Sequence, residues 1–411
     1  MQIHVLSFEG PDPYAFAGGI ATRITGLTEA LAALGHDTHL WFVGDPGLPG
    51  REARGNLTLH RWCQWISRFH PGGVYEGEEG KRNDYASSLA PYLMADLSPH
   101  LQQGGYAVVL AEEWHTADAV LHLDWLLRLA GVRDRVAILW NANNTFGFDR
   151  IDWRRMAVAS TITTVSRYMK HRMHDWGAEA LVIPNGLSAE AFTQPAPGDV
   201  AELRRRFADR LVLTKIARWD PDKRWMMAIE IVARLKQHGW RPLLVARGGI
   251  EAYGGEVLAA AAAAGLHIAE RRTDPGVSSM LENLSSINGS DVVVLRSPVD
   301  AKTRPMLLQG ADAVLANSGH EPFGLVGLET MAVEGLACTG ISGEDYAIAG
   351  RNALVLQTTD PDEFLTLFGR LRNSPRREMA IRKAARRTAK HYMWSDIIER
   401  NILPRIPLFD Q

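Results

Sequence analysis

The chain has 411 residues, enough for two or three domains with sizeable cores, and its two cysteines, Cys63 and Cys338, lie far apart without a Cys-x-x-Cys pair. That excludes a disulfide-stapled module and a cysteine-based zinc site. Hydrophobic residues at 46% and charged residues at 22% exclude a disordered chain, and 45 Lys and Arg against 47 Asp and Glu leave no global field to attract nucleic acid.

The start MQIHVLSF lacks the charged and long apolar regions of a signal peptide, and the apolar runs fall short of a membrane span, so a cytoplasmic protein is expected. On that reading the Asn-x-Ser/Thr triplets at Asn56, Asn143, Asn283 and Asn288 occur by chance. The 12 Trp equal the Phe count, and Trp114, Trp140, Trp153 and Trp219 flank the segments richest in chemistry. Most buried Trp fill core volume, but at the mouth of a site Trp114 and Trp140 would stack on sugar faces.

In chain order, residues 2–8 predict a buried strand, Gly18-Gly19 a loop, and Ile20 to Leu34 a helix ended by Gly35-His36. THLWFVG at 38–44 is the next strand; His36 and His39 flank its start and are expected to be exposed. The pattern repeats at 107–114, 135–141 and 160–166 with helices between, which implies a parallel sheet covered on both faces. A fresh series follows at 211–218, 242–249, 291–297 and 311–318, with a linker expected near 187–208, where TQPAPGD is rich in breakers. The reading is therefore an α/β chain with an N-terminal Rossmann-like domain over 1–195, a second over 205–390, and a terminal segment over 391–411. That segment has helical spacing interrupted by Pro404 and is expected to cross back to the first domain. From Arg370 to Lys390 nine basic residues face one acid, Glu378, which reads as a solvated helix face, with a peripheral contact to anionic lipid as the alternative.

The sharpest signal is NSGHEPFGLVGLETMAVEG at 317–335, running from a strand end through a loop into a helix. A helix N-terminus offers unpaired N–H groups and a positive dipole end, so the amides of Phe323, Gly324, Leu325 and Val326 form a place for phosphate oxygens. Glu321 precedes the helix and Glu329 lies inside it, on the order of 10 Å apart at 1.5 Å rise per residue. That separation suits two ends of one ligand and exceeds the roughly 5 Å of a retaining glycosidase pair. In ARWDPDKRW at 217–225, Arg218 and Lys223 stand five apart across a turn, where a guanidinium and an ammonium can converge on one diphosphate. Asp220-Pro221-Asp222 and Asp360-Pro361-Asp362 read as turn openers and not as a metal-binding Asp-x-Asp, so no metal ligands are assigned.

These residues resemble retaining glycosyltransferases of the GT-B fold, the large family that uses nucleotide-diphosphate sugars and carries a Glu-x7-Glu motif (glycosyltransferase family 4, glycosyl transferases group 1). The resemblance spans nearly the whole chain and implies two Rossmann-like domains facing a central cleft. It implies that Glu321 contacts the donor sugar, that the loop amides meet sugar and pyrophosphate, and that Glu329 binds the ribose. Arg218 and Lys223 would stabilise the departing nucleoside diphosphate; the family's glycine before the arginine is Ala217 here. Gly18-Gly19 resembles the glycine loop that lets backbone approach the donor phosphate, and Glu112-Glu113-Trp114-His115 resembles the element whose histidine, His115, contacts the donor sugar. Asn185-Gly186 resembles a further hallmark and reads as a turn near the hinge. Trp114, Asn141, Asn143 and Asn144, at two strand ends, are assigned to the acceptor side, and Arg296 is placed near the base.

The implied activity is metal-independent transfer of a sugar, with retained configuration, from a UDP-, GDP- or ADP-sugar to a hydroxyl acceptor, without a resident cofactor. A sugar-nucleotide epimerase on the same fold and a non-catalytic nucleotide-sugar-binding protein are the alternatives; a phosphorylase would need a pyridoxal-phosphate lysine, which nothing resembles. Residues 1–190 carry 16 basic and 21 acidic side chains, net −5, and the remainder 29 against 26, net +3, so the positive half is the one expected to hold the diphosphate.

Overall fold

A computed structural model describes residues 2–287 and 289–406; Asn288 of the fourth triplet and the last five residues of the terminal segment lie outside them. The chain divides into two compact units, one from the described parts of Met1–Ser188 and Tyr392–Gln411 and the other Ala189–His391.

The first unit holds an eight-stranded sheet of β1 (Gln2–Leu6), β2 (Asp37–Val43), β3 (Arg51–Arg54), β4 (Leu57–Trp62), β5 (Ala107–Glu112), β6 (Val136–Ala142), β7 (Thr161–Thr164) and β8 (Leu181–Val182), ordered β3-β4-β2-β1-β5-β6-β7-β8. All neighbours are parallel except β3 and β4. The second unit holds β9 (Leu211–Ile216), β10 (Pro242–Arg247), β11 (Ile268–Arg271), β12 (Val292–Leu295), β13 (Ala313–Ala316), β14 (Ala337–Thr339) and β15 (Leu354–Val355), ordered β11-β12-β10-β9-β13-β14-β15 and parallel throughout. In each sheet the strand order reverses beside the first strand, at β1/β5 and at β9/β13. Ligands of open α/β sheets bind beyond the carboxyl ends at such switch points.

The helices used below are α1 (Gly19–Ala33), α2 (Glu78–Gln102), α3 (Trp225–Gln237), α4 (Thr303–Gly310), α5 (Leu325–Ala332), α6 (Pro361–Arg372) and α7 (Pro375–Lys390). Central strands are buried on both faces, which is why LVLTKI and VAILWNA read as nearly continuous apolar runs. The expected linker over 187–208 is instead largely ordered within the second unit: Pro197 opens a helix to Arg206, and Gln194 donates to the Ala332 carbonyl. Proline at the first helical turn needs no N–H partner, so the residue that looked like a breaker is a helix start.

The terminal segment packs on the first unit. Trp394 lies where a Cβ on Gly26 or Gly186 would come within 2.5 or 2.4 Å of its ring, and the Arg23 guanidinium sits 5.3 Å from the ring centre. Asn185 of the turn accepts a hydrogen bond from Arg23, so both residues of the Asn-Gly pair are used in seating this segment. On α7 the inward arginines have defined work. Arg382 donates to the carbonyls of Glu334, Ala311 and Asp312, and Arg386 to that of Ala332, which Gln194 also reaches. Arg376, Arg377, Lys383, Arg387 and Lys390 are exposed, as a solvated face requires.

Two expectations about buried residues are corrected. His39 is buried, not exposed, because β2 is flanked by β1 and β4; it stacks on His4 at 4.7 Å and its Nδ1 lies 3.0 Å from His60 Nε2. Trp140 has no exposed surface and donates through its indole N–H to the Glu113 carbonyl at 3.1 Å, so it fills core and does not stack on a sugar. Trp219 is likewise buried, wedged against Gly248 and Gly254.

Candidate donor and acceptor sites

In the second unit, the loops after β9 and β13 leave adjacent strands at the switch point. Asp220 begins a turn by accepting the Asp222 amide at 2.8 Å, Pro221 starts a single tight helical turn, and Arg224 closes it in the left-handed region at φ 50°. Asp360 caps α6 in the same way, which gives both Asp-Pro-Asp repeats a structural role as Asx caps. The turn presents Lys223, whose Nζ donates to Glu321 Oε2 at 2.5 Å from a largely buried position. Arg218, 67% exposed, has only a 3.9 Å contact with Asp220, so its guanidinium is available to a ligand. The Asp222 carbonyl accepts the Gly319 amide at 2.6 Å, fastening one loop to the other.

Glu321 is itself held by the next loop: its amide donates to Ser342 Oγ at 2.9 Å. Gly324, at φ 80°, is the N-cap of α5, and a Cβ there would lie 2.8 Å from Glu344 Cγ and 3.1 Å from the Tyr346 hydroxyl. Glycine is thus required twice, by its dihedral and by the closeness of the loop. Leu325 and Val326 are half-exposed and Phe323 is buried against Tyr346, so the aromatic pair anchors the loop that leads into the first turn of α5. Glu329, one turn into α5, is paired with Arg304 of α4. Arg296, at the end of β12, is held bidentately by Glu270 at 3.0 and 2.6 Å, toward the far edge of the sheet and separated from β9 by β10.

Sequence reasoning missed two buried ionisable residues beside this pair. Glu344 is buried, its carboxyl pushed up to about 8 by burial and by the nearby Glu321 carboxylate, and its Oε1 has no partner. Lys215, the penultimate residue of β9, is buried, with Nζ donating to the Leu315 carbonyl at 3.0 Å and to Asn317 Oδ1 at 2.8 Å.

In the first unit, the loops after β1 and β5 form the corresponding site. Glu9, also missed, accepts from the Ala21 amide in the first turn of α1 and, at 2.5 Å, from the Tyr75 hydroxyl. A Cβ on Gly18 or Gly19 would meet nothing within 4 Å, and neither glycine lies in the left-handed region of φ, so the fold itself does not demand glycine at either position. Glu112 receives both Arg23 Nε, at 3.1 Å, and the side-chain amides of Asn141 and Asn143, each at 2.8 Å. Those two amides are spent inside the domain, while Asn144 forms a local turn by accepting the Phe146 amide.

Glu113 adopts φ 68° at the strand end, and burial pushes its carboxyl up to about 8 while Oε1 accepts the Asn143 amide at 2.6 Å. This strained geometry turns the following residues across the strand end. His115 is buried there, stacked on Phe8 at 4.4 Å, with Nε2 2.7 Å from Glu78 Oε1 and Nδ1 without a partner. Burial lowers its pKa against the opposing pull of Glu78, so the ring is neutral near pH 7. Trp114 is half-buried with Arg150 4.9 Å and Arg82 5.8 Å from its ring centre, so arginines already occupy positions a sugar would take.

Residues 17–191 match the family model described as Glycosyltransferase Family 4. Among solved structures, sucrose-phosphate synthase from Thermosynechococcus elongatus is similar at 18% identity and TM-score 0.64, with 96% of each chain covered. An alpha,alpha-trehalose-phosphate synthase (UDP-forming) from Burkholderia xenovorans, in complex with glucose-6-phosphate, is similar at 14% identity and TM-score 0.63, covering 97% of this chain and 98% of that one. The catalytic domain of starch synthase IV from Arabidopsis thaliana, bound to ADP and acarbose, gives 15% identity and TM-score 0.63 with 97% and 99% covered. No curated sequence matches. The chain has the GT-B fold, and its residues 17–191 resemble the family 4 glycosyltransferase domain.

The family model lies on the first unit, whereas the Glu-x7-Glu spacing lies outside the matched residues, in the second. Among the described residues no helix is long and apolar enough to cross a membrane. A lysine inside the apolar run LVLTKI was the one available signal for Lys215, and Gly-Glu-Asp-Tyr after the β14 strand end the one for Glu344.

Proposed function

We propose that the protein is a retaining, metal-independent hexosyltransferase that moves a sugar from a nucleotide-diphosphate sugar to a hydroxyl acceptor. The observation that carries this reading is the Lys223–Glu321 pair, 2.5 Å apart at the β9/β13 switch point and immediately ahead of the α5 N-terminus. A cation and the amides of a helix N-terminus suit a diphosphate, and a carboxylate suits sugar hydroxyls, so a bound donor would take both partners from each other. Arg218 adds a second charge to the departing phosphate. With these groups acting on charge that develops as the glycosidic bond breaks, the chain supplies electrostatic stabilisation and no nucleophile. The leaving phosphate oxygen would take the acceptor proton on the same face of the sugar, which retains configuration.

In the first unit, Gly18 and Gly19 leave room for close approach of backbone to the donor phosphate. The neutral His115 ring, oriented by Glu78, would hydrogen-bond a sugar hydroxyl without repelling an oxocarbenium-like centre. Solved relatives bound with UDP or ADP put UDP- and ADP-sugars at the head of the donor panel, with GDP-sugars third. The test is full-length protein incubated with each donor and a panel of sugar, glycoconjugate and lipid-linked acceptors, with product anomers assigned by NMR and reactions repeated in EDTA. Transfer with the donor's configuration, unchanged by EDTA, is expected. Inverted product, loss of activity in EDTA, or tight donor binding without turnover on any acceptor would overturn the corresponding part of the proposal.

A further inference from the structure

A buried lysine in the centre of a parallel sheet is costly unless its ammonium is fully engaged. Lys215 has three places for three protons: the Leu315 carbonyl at 3.0 Å, Asn317 Oδ1 at 2.8 Å, and the face of Trp225, whose ring centre lies 5.3 Å away. Both hydrogen bonds cross from β9 to the end of β13. The two strands are paired only through Ala313 with Leu213 and Val314 with Thr214, so beyond that register Lys215 supplies a side-chain bridge where backbone pairing has stopped.

That bridge sits where the donor-binding loops diverge. Three residues after Lys215 is Arg218 and eight after it Lys223; two residues after Asn317 is Gly319, already fastened to Asp222, and four after it Glu321. Asn317 is itself buried and oriented by its amide's contact with Met227 Sδ. Nothing in folding alone calls for a charge here, since a Met or Leu of similar volume would fill the same space in a sheet that is otherwise apolar.

We propose that Lys215 is a positioning residue for the donor site: by tying Leu315 and Asn317 to β9 it fixes the loop carrying Glu321 against the loop carrying Lys223, and it places a buried positive charge behind the diphosphate. This rests on the donor-site reading above. The charged groups acting on the ammonium are Lys223 and Arg224, which oppose it, and Glu321, which favours it; Cys338, its thiol pushed up to about 12 by burial, is uncharged near neutrality. Burial and Lys223 together bring its pKa down to about 7, so near neutrality the ammonium is partly deprotonated. A dianionic diphosphate arriving at Lys223 reverses the local repulsion, and donor binding then takes up a proton at Lys215.

The experiment compares wild type, Lys215→Met and Asn317→Asp as full-length proteins, with UDP, GDP and ADP as probes. Calorimetry in buffers of different ionisation enthalpy, from pH 6 to 8.5, reads both affinity and proton uptake, and thermal melting reports folding. Wild type is expected to take up a fraction of a proton on binding its preferred diphosphate and to weaken as pH rises through 7 to 8. Lys215→Met is expected to melt at or above the wild-type temperature, to bind at least tenfold more weakly at pH 6.5, and to lose both the proton uptake and the pH dependence. Asn317→Asp, which gives the ammonium a carboxylate partner, is expected to move the alkaline limb up by a unit or more. Wild-type affinity and an unchanged pH profile in a folded Lys215→Met protein would overturn the inference. Failure of wild type to bind any of the three diphosphates would instead overturn the donor-site reading on which it rests.

Discussion

The histidines of the first sheet make its acid response calculable. His4 and His39 are register partners on β1 and β2, and His60 stands on β4 opposite Trp41, so the three rings stack across neighbouring strands. Trp41 donates its indole N–H to His4 Nδ1 at 3.1 Å, which places the ring proton on Nε2, a buried atom without a partner. Asp96 of α2 brings a carboxylate within 4.8 Å of ligand atoms on His4 and His39, but the tautomer imposed by Trp41 leaves His4 no lone pair to offer a metal at Nε2. Burial, followed by the mutual repulsion of the rings, lowers His60 to about 3 and His4 well below the ordinary value; His100 adds to the effect on His4 and Arg51 to that on His60. Asp37, 3.3 Å from His39 Nε2, and Asp96 are the carboxylates facing the stack.

A base whose folded pKa is depressed stays neutral in the native state while the unfolded chain takes up the proton, so its contribution is intact above pH 6.5 and declines as pH falls toward the folded value. At pH 5 the gap is about 1.5 units, about 2 kcal/mol for a fully shielded ring and about 1–2 kcal/mol for His60 once solvent screening at its edge is allowed for. His60 alone is thus expected to cost the first unit about 1–2 kcal/mol between pH 7 and pH 5, with His4 acting in the same direction, a sizeable part of a domain's net stability. Hydrogen–deuterium exchange of the full-length protein, followed in peptides covering β1, β2 and β4, reads this directly, with β9 to β14 peptides as the internal reference. His60→Phe keeps a ring against Trp41 and removes one proton, so its acid-dependent loss should shrink by about 1–2 kcal/mol relative to wild type. Equal protection at pH 7 and 5 in wild type, or an identical pH slope in His60→Phe, would refute the reasoning.

At the donor site, Lys223→Ala and Glu321→Ala should each reduce transfer at least about tenfold while melting normally, measured as kcat/KM on the best donor. Gly324→Ala forces a side chain into φ 80° with 2.8 Å to Glu344 Cγ and should cost about 1–3 kcal/mol in the melting of the second unit, along with weaker diphosphate binding. Glu344, raised to about 8, is neutral when folded but ionised when unfolded above about pH 4.5, so it destabilises increasingly as pH rises to 8; Glu344→Gln should raise the melting temperature at pH 8 and leave it unchanged at pH 4.5. Trp394→Ala leaves the space between Gly26 and Gly186 unfilled, with an expected loss of about 3–5 kcal/mol in the first unit, visible as faster exchange in α1.

The strands that the sequence announces are β1, β2, β5, β6, β7, β9, β10, β12 and β13; apart from the threonine-rich β7 they are largely apolar runs, buried in the middle of a sheet. REARGNLTLHRW, which folds into β3 and β4, alternates polar and apolar residues at a sheet edge, and β14 and β15 are too short to show a period. Glu321 and Glu329 were legible because their eight-residue spacing is local. The partners were not: Lys223 meets Glu321 across 98 residues and Arg304 meets Glu329 across 25, distances bridged only by strand order. The histidine stack is hidden for the same reason, since His4, His39 and His60 become neighbours only when β1, β2 and β4 are placed side by side.

The charge difference between the halves of the chain is expressed at the two switch points, and there it has a consistent physical sense. Beyond β1 and β5 the first unit gathers Glu9, Glu112 and Glu113, and each is silenced internally: Glu9 on an α1 amide, Glu112 on Arg23, and Glu113 by holding its proton to about pH 8. What remains there is a set of hydrogen-bonding groups with little free charge, suited to hydroxyls. Beyond β9 and β13 the balance is reversed, since Arg218 is unclaimed, Lys223 is claimed only by a carboxylate that a sugar can replace, and Lys215 lies buried beneath. One architecture, used twice, thus yields one site in which carboxylates are neutralised and one in which cations are kept in reserve, which is the charge balance that the proposed diphosphate site requires to repay desolvation.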